Sequence, residues 1–128
     1  MLSASGILQA ATAISKTTQT AIKGEIDCTG YDFLTLFFTY TKGDETGLIL
    51  TPKVLRESGG TEYPYAITTA TGGAFTVTDT KLTLTATKSS YMTFDVTGIS
   101  LMKFYQGGSN NDGTPTGTLA ASYTLKKG

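Results

Sequence analysis

At 128 residues the chain has the length of one ordinary domain, and its 39% apolar content is enough for a single thin core. Ten basic residues balance ten acidic ones, leaving no basic excess for a nucleic acid or an anionic membrane. There is no histidine, which removes the commonest general base and zinc ligand. The single cysteine, Cys28, excludes an intramolecular disulfide.

Threonine fills about one position in five, and fifteen glycines punctuate runs rich in threonine and aromatics. That composition favours strands. No stretch approaches the roughly 20 apolar residues of a spanning helix. The first residues, MLSASGILQAATAIS, lack the basic and long apolar regions of a signal peptide. The expectation is a cytoplasmic translation product with nothing removed from its start.

Residues 1–15 are small and mildly apolar. Ile7, Leu8, Ala11 and Ile14 have helix-compatible spacing, but Gly6 and the Ser/Thr content favour an extended arm or edge strand. The segment is expected to reach a neighbouring subunit. Residues 16–128 read as the domain proper. From Thr20 the period is two, with Ile22, Gly24, Ile26 and Cys28 on one face. YDFLTLFFTYT follows, with Leu34, Leu36, Phe38 and Tyr40 on one side and Phe33, Thr35, Phe37 and Thr39 on the other. A strand so apolar on both faces needs two covers.

Lys42 to Gly47 (KGDETG) reads as a hairpin loop into LILTPKVLRE, where Pro52 implies an edge or a bulge. Arg56 to Glu62 is a second hairpin loop, and TTATGG (68–73) separates its return strand from AFTVT. KLTLTAT, YMTFDV and ISLMKFYQ come next, then a loop from Gly107 to Gly113 and a last strand, GTLAASYTL. Eight to ten short strands with turn signals about every ten residues predict an all-β, antiparallel, jelly-roll-like sandwich. Its expected core comprises Leu34, Leu36, Phe38, Leu82, Leu84, Phe94 and Val96.

Carboxylates cluster in turns, where they bond local N–H groups, and no spacing selects a catalytic pair. No enzymatic activity, cofactor or metal site is expected. Asp44 with Glu45, and Asn110, Asn111 and Asp112, offer calcium-type oxygens without the ordered spacing of a calcium loop. Seven tyrosines raise a sugar-binding platform as the alternative function, a carbohydrate-binding module for host-surface recognition.

Three segments, TGYDFLTLFFTYTKGDETGLIL, SYMTFDVTGISLMKFYQ and GTPTGTLAASYTL, together resemble small β-sandwich proteins encoded among the virion-structure genes of tailed bacteriophages. The pattern is a GYD-x-LTL strand, a hairpin pair, a strand–TG–strand unit and a closing PTGTL strand, spanning Thr29 to Leu125. The chain departs from it at GGTEYPYAI and at ISLMKFYQ, where Lys103 is the only basic residue. The resemblance implies a virion component, a capsid decoration or head or tail accessory protein, with no catalytic residues to carry over. Its implied partners are other virion proteins, such as the major capsid protein, and further copies of itself in a closed homo-oligomer such as a trimer. The contact is expected at Leu2, Ile7, Leu8, Ile14, Phe33 and Phe37.

Overall fold

The computed structural model describes residues 3–16, 20–109 and 114–128. These form eleven strands and no helix. The strands are β1 (Ser3–Ala13), β2 (Thr20–Asp27), β3 (Phe33–Thr41), β4 (Gly47–Leu55), β5 (Glu62–Pro64) and β6 (Ala66–Thr71). They continue as β7 (Ala74–Asp79), β8 (Leu82–Leu84), β9 (Lys88–Asp95), β10 (Leu101–Ser109) and β11 (Thr118–Lys126).

One sheet has the order β1-β11-β3-β9. The other has β2-β10-β4-β5, with β8 also on β4. Every pairing is antiparallel. The chain is in effect one long hairpin, pairing β1 with β11, β2 with β10, β3 with β9, and β4 with β5 and β8. Rolling it up adds the pairings of β11 with β3 and of β10 with β4. That is the jelly roll, which encloses a core between its two sheets. The count exceeds the expected eight to ten for a simple reason. β5 and β8 share one position beside β4, and β6 with β7 forms a separate two-stranded ribbon.

Strand alternation fills the core as the sequence pattern requires. Leu34, Leu36, Phe38 and Tyr40 of β3 point inward beside Leu119, Ala121 and Leu125 of β11 and Phe94 of β9. Ile22, Ile26, Leu48, Leu50, Met102 and Phe104 close the core from the other sheet, with Val96, Leu84 and Cys28 at its margins. Leu82 is only partly buried. Phe94 and Phe104 meet across the sheets at 5.5 Å, and Tyr65 stands edge-on to Phe94 at 5.1 Å. The Tyr65 hydroxyl donates to the carbonyl of Asp95 at 2.9 Å. Residues 23–25 of β2 face the single Lys103, and Lys23 has φ 54°. Two extra residues preserve parity, keeping Ile22 and Ile26 on the same side.

Several connections differ from the sequence reading. Lys42 to Gly47 joins strands of different sheets and is no hairpin. Pro52 lies in an interior strand, opposite Phe104 of β10. On its other side, β8 pairs residues 48–50 and β5 pairs residues 53–55, leaving a gap at the proline. The Pro52 carbonyl there accepts from the Tyr65 N–H at 3.1 Å. The missing N–H falls where no strand needs it. TTATGG is not a separator but part of a hairpin, since Thr71 pairs with Ala74 around Gly72 and Gly73. Both glycines have positive φ (60° and 82°), the geometry of a tight two-residue hairpin turn. Residues 107–109 belong to β10, and the rest of the loop expected there, 110–113, lies outside the described residues.

Candidate interaction surfaces

The outer face of the β1-β11-β3-β9 sheet carries the side chains that alternation turns away from the core. A transverse row crosses all four strands: Ile7 pairs with Ser122, Ser122 with Phe37, and Phe37 with Tyr91. The Phe37 and Tyr91 rings lie 6.1 Å apart. Hydroxyl pairs flank them, Thr35 with Thr93 at 3.0 Å and Thr39 with Ser89 at 3.1 Å. Ser122 and Ala120 are small residues between the large Ile7 and Phe37. The result is an open depression of ≈ 390 Å³, also bordered by Gln9 and Thr39. None of the residues lining it is charged.

The six residues expected at a subunit contact separate here. Ile7, Phe33 and Phe37 are exposed on this face, the two phenylalanines at 42% each. Leu8 and Ile14 are buried in the core of their own chain, at 4% and 5%, and are not available to a neighbour. The reason is that β1 is an edge strand paired with β11 of the same chain, and the pairing shifts register between Ile7 and Gln9, at Leu8, whose side chain enters the core. The Ile14 N–H donates to the Gly117 carbonyl at 3.2 Å, fixing the end of that segment. Leu2 lies outside the described residues. Among the described residues, no strand of the chain packs over the outer face of β3, although Gly128 lies against the Phe33 ring.

A second apolar surface escaped the sequence reading. All six residues of β7 are exposed, and the β6–β7 ribbon joins neither large sheet. Ile67, Phe75 and Val77 stand in solvent, Phe75 at 77% exposure. A strand exposed on both faces is unusual for a sequence holding Phe and Val. The signal was the alternation in AFTVT, which reads equally well as a half-buried strand.

The polar clusters do structural work. Glu45 is buried, and its carboxylate accepts from the Tyr40 hydroxyl. It also accepts from the N–H groups of Gly43 (2.9 Å), Gly117 (2.9 Å) and Thr116 (3.2 Å). Burial raises its pKa, but these bonds outweigh burial and bring it down to about 2. Burial and the same carboxylate push the Tyr40 phenol up. N–H and O–H donors occupy both Glu45 oxygens. Among the described residues, no three of Cys, Asp and Glu come together as a cation site. Asn110, Asn111 and Asp112 lie outside those residues.

On the other sheet, Glu62 accepts from the Tyr105 hydroxyl at 2.6 Å and pairs with Lys103 at 3.3 Å. The Tyr105 bond and the lysine hold that carboxyl below its ordinary range. Glu25 accepts from Ser58 Oγ (2.6 Å) and the Gly59 N–H (2.8 Å), tying the β4–β5 turn to β2. A smaller depression of ≈ 310 Å³ beside Arg56 and Ile99 holds one tyrosine, Tyr63. The other well-exposed tyrosine, Tyr91, is on the opposite sheet.

The geometry defines a jelly-roll β-sandwich with exposed apolar side chains on one sheet face and on the β6–β7 ribbon. No protein-family model matches the chain, and no curated protein matches it in sequence. Solved structures do match in fold. The crystal structure of the SPBc2 prophage-derived protein YomS is similar with a TM-score of 0.58 at 15% identity, covering 96% of this chain and 91% of that one. A chain in the structure of infectious bursal disease virus, Gx strain, is similar with a TM-score of 0.51 at 12% identity. The match covers 97% of this chain and 31% of the viral one, so this fold corresponds to about a third of that chain.

Proposed function

We propose that this protein is a structural component of a bacteriophage particle, a capsid decoration or head or tail accessory protein that acts through protein–protein contacts and catalyses nothing. The observation that carries the reading is the exposed outer face at Ile7, Phe33, Phe37 and Tyr91, on a fold built from end to end like a prophage-derived protein. A row of large apolar side chains on a neutral, hydroxyl-rich sheet suits lasting contact with a neighbouring protein. The likeness to part of a chain from a virus structure supports the same role. The partners are other virion proteins, such as the major capsid protein, and further copies of the chain. The virion is then its location.

A carbohydrate-binding module has less support. Sugar platforms use aromatic faces grouped in one groove, whereas Tyr63 and Tyr91 stand on different sheets. Mass spectrometry of particles purified from a host carrying the gene tests the proposal. The chain is expected in a fixed, symmetry-compatible ratio to the major capsid protein. Its absence from washed particles, or a glycan-dependent signal on an array, overturns it.

A further inference from the structure

Two segments far apart in the chain fold into the same turn. Asp27-Cys28-Thr29-Gly30 leaves β2 and Asp95-Val96-Thr97-Gly98 leaves β9, both reading Asp-x-Thr-Gly. In each, the aspartate carboxylate accepts from the threonine N–H, at 2.9 Å in the first and 3.0 Å in the second. Gly30 and Gly98 have φ of 85° and 79°, the sign that the third residue of a type II turn requires. The Tyr31 N–H then donates to the Cys28 carbonyl at 3.1 Å, and the Ile99 N–H to the Val96 carbonyl at 2.9 Å. The residue between Asp and Thr, Cys28 or Val96, is fully buried. The turns also hold each other. The Cys28 N–H donates to the Ser100 carbonyl and the Val96 N–H to the Asp32 carbonyl, both at 2.8 Å. Exchanging the two segments turns either bond into the other. The strands repeat the relation, with Asp27 opposite Leu101 and Ile26 opposite Met102, as Asp95 is opposite Phe33 and Phe94 opposite Leu34. The likeness stops beyond Ile26, where the register of β2 on β10 shifts. Each turn carries the chain from one sheet to the other, in opposite directions.

We propose that the two Asp-x-Thr-Gly turns form a single clasp, a conformational device that opens and closes as one unit at this end of the sandwich. Neither turn is self-sufficient. Thr29, Gly30, Thr97 and Gly98 are exposed, so water competes for the bonds of each turn taken alone. The buried anchors Cys28 and Val96 give their N–H groups to the opposite segment. Opening the first turn therefore strands the buried Val96 N–H, and opening the second strands that of Cys28. An unpaired buried donor carries a desolvation penalty, and this penalty is what couples the two openings.

The clasp lies within one chain, so its test is separate from the mass spectrometry of particles. Native-state hydrogen exchange of the full chain, followed by NMR, reads it directly. In the parent, the N–H groups of Cys28, Tyr31, Val96 and Ile99 are expected to share one protection factor, below that of Leu36 and Phe38 in the interior strand β3. Gly98→Ala strains the second turn alone, because φ is positive there and an added Cβ meets nothing within 4 Å. It is expected to lower the protection of Val96 and Ile99 by roughly 5–30-fold, and that of Cys28 and Tyr31 by the same factor. Gly30→Ala should give the same result from the other side. Should a glycine variant not fold, Asp95→Ala and Asp27→Ala remove only the bond to the Thr97 or Thr29 N–H, and the same shared loss is expected. Loss of protection confined to the substituted turn overturns the inference, since the turns would then open independently. Protection of the four groups equal to that of Leu36 and Phe38 in the parent overturns it too, since the clasp would then open only when the whole domain unfolds.

Discussion

The Tyr40 hydroxyl donates to the Glu45 carboxylate inside the sandwich, where the chain crosses from one sheet to the other. Because Gly43, Thr116 and Gly117 donate to the same carboxylate, one side chain fastens the β3–β4 crossing to the segment entering β11. The charged form is the one stabilised. With the pKa lowered from 4.5 to about 2, the contribution is present above pH 4.5 and is lost as pH falls toward 2. A shift of this size corresponds to about 3 kcal/mol. Urea unfolding between pH 7 and pH 2.5 is expected to show midpoints falling steeply below pH 4.5. Glu45→Gln should be less stable at pH 7 and should lose much of that slope. An unchanged slope in the variant would place the acid sensitivity elsewhere.

Gly117 sits directly under this carboxylate. A Cβ there would meet Glu45 Oε2 and would lie 2.8 Å from the Thr41 carbonyl oxygen, and backbone cannot turn aside as a side chain can. Gly117→Ala is expected to cost about 1–3 kcal/mol, the usual range for overpacking a closed site. Gly24 provides the control. A Cβ there meets nothing within 4 Å and the residue has no positive φ. Gly24→Ala should therefore change stability by less than about 0.5 kcal/mol. Equal denaturation midpoints for the two variants would contradict this account.

Phe94 joins the sheets through Phe104 and supports Tyr65, so truncating it opens a cavity bounded by both layers. Phe94→Ala is expected to cost about 3–5 kcal/mol. Tyr65→Phe removes only the hydroxyl bond to the Asp95 carbonyl and should cost about 0.5–1.5 kcal/mol. Calorimetry on both variants separates ring packing from the hydrogen bond. If the two lose similar stability, the Phe94–Phe104 contact is not the bridge described here.

The period-two pattern of Leu34, Leu36, Phe38 and Tyr40 identified the inner face of β3, and with it the sandwich, because burial on one side of a pleat leaves that signature in the residues themselves. Sheet membership left no such mark. Lys42 to Gly47 has the composition of a hairpin loop, yet it crosses between sheets, since turn chemistry records a change of direction and not the destination. Pro52 could be read as an edge signal only in part, because the strand beside it is interrupted by an insertion far along the chain. Leu8 looked like part of an apolar arm, and only the docking of β1 on β11, with its irregularity between Ile7 and Gln9, sets Leu8 inward and Ile7 outward. The β6–β7 ribbon was invisible as a surface because alternation shows which side chains share a face but not whether anything covers it.

Cys28 provides a chemical reporter on the closed sandwich. It is fully buried between the end of β2 and the Val96 region, with its N–H donating to the Ser100 carbonyl at 2.8 Å. Burial, reinforced by the negative charge of Asp27, pushes the thiol up to about 11. Both effects suppress the thiolate, which is the reacting form, and burial also denies a reagent access. At pH 8 native protein is expected to react with an aromatic disulfide reagent many-fold more slowly than protein in denaturant. The residual rate should follow opening of the structure rather than thiol chemistry. Phe94→Ala should then accelerate labelling in proportion to its loss of stability, as long as closing is faster than reaction. The folded pKa lies above that of the free thiol, so the stabilising effect is present below about pH 9 and is lost as pH rises through 11. Cys28→Ser keeps the size but replaces a weak hydrogen-bonder with a strong one in an apolar site, and is expected to cost about 1–3 kcal/mol. Rapid labelling of the native parent at pH 8, at a rate insensitive to Phe94→Ala, would show that Cys28 is reached without opening the core.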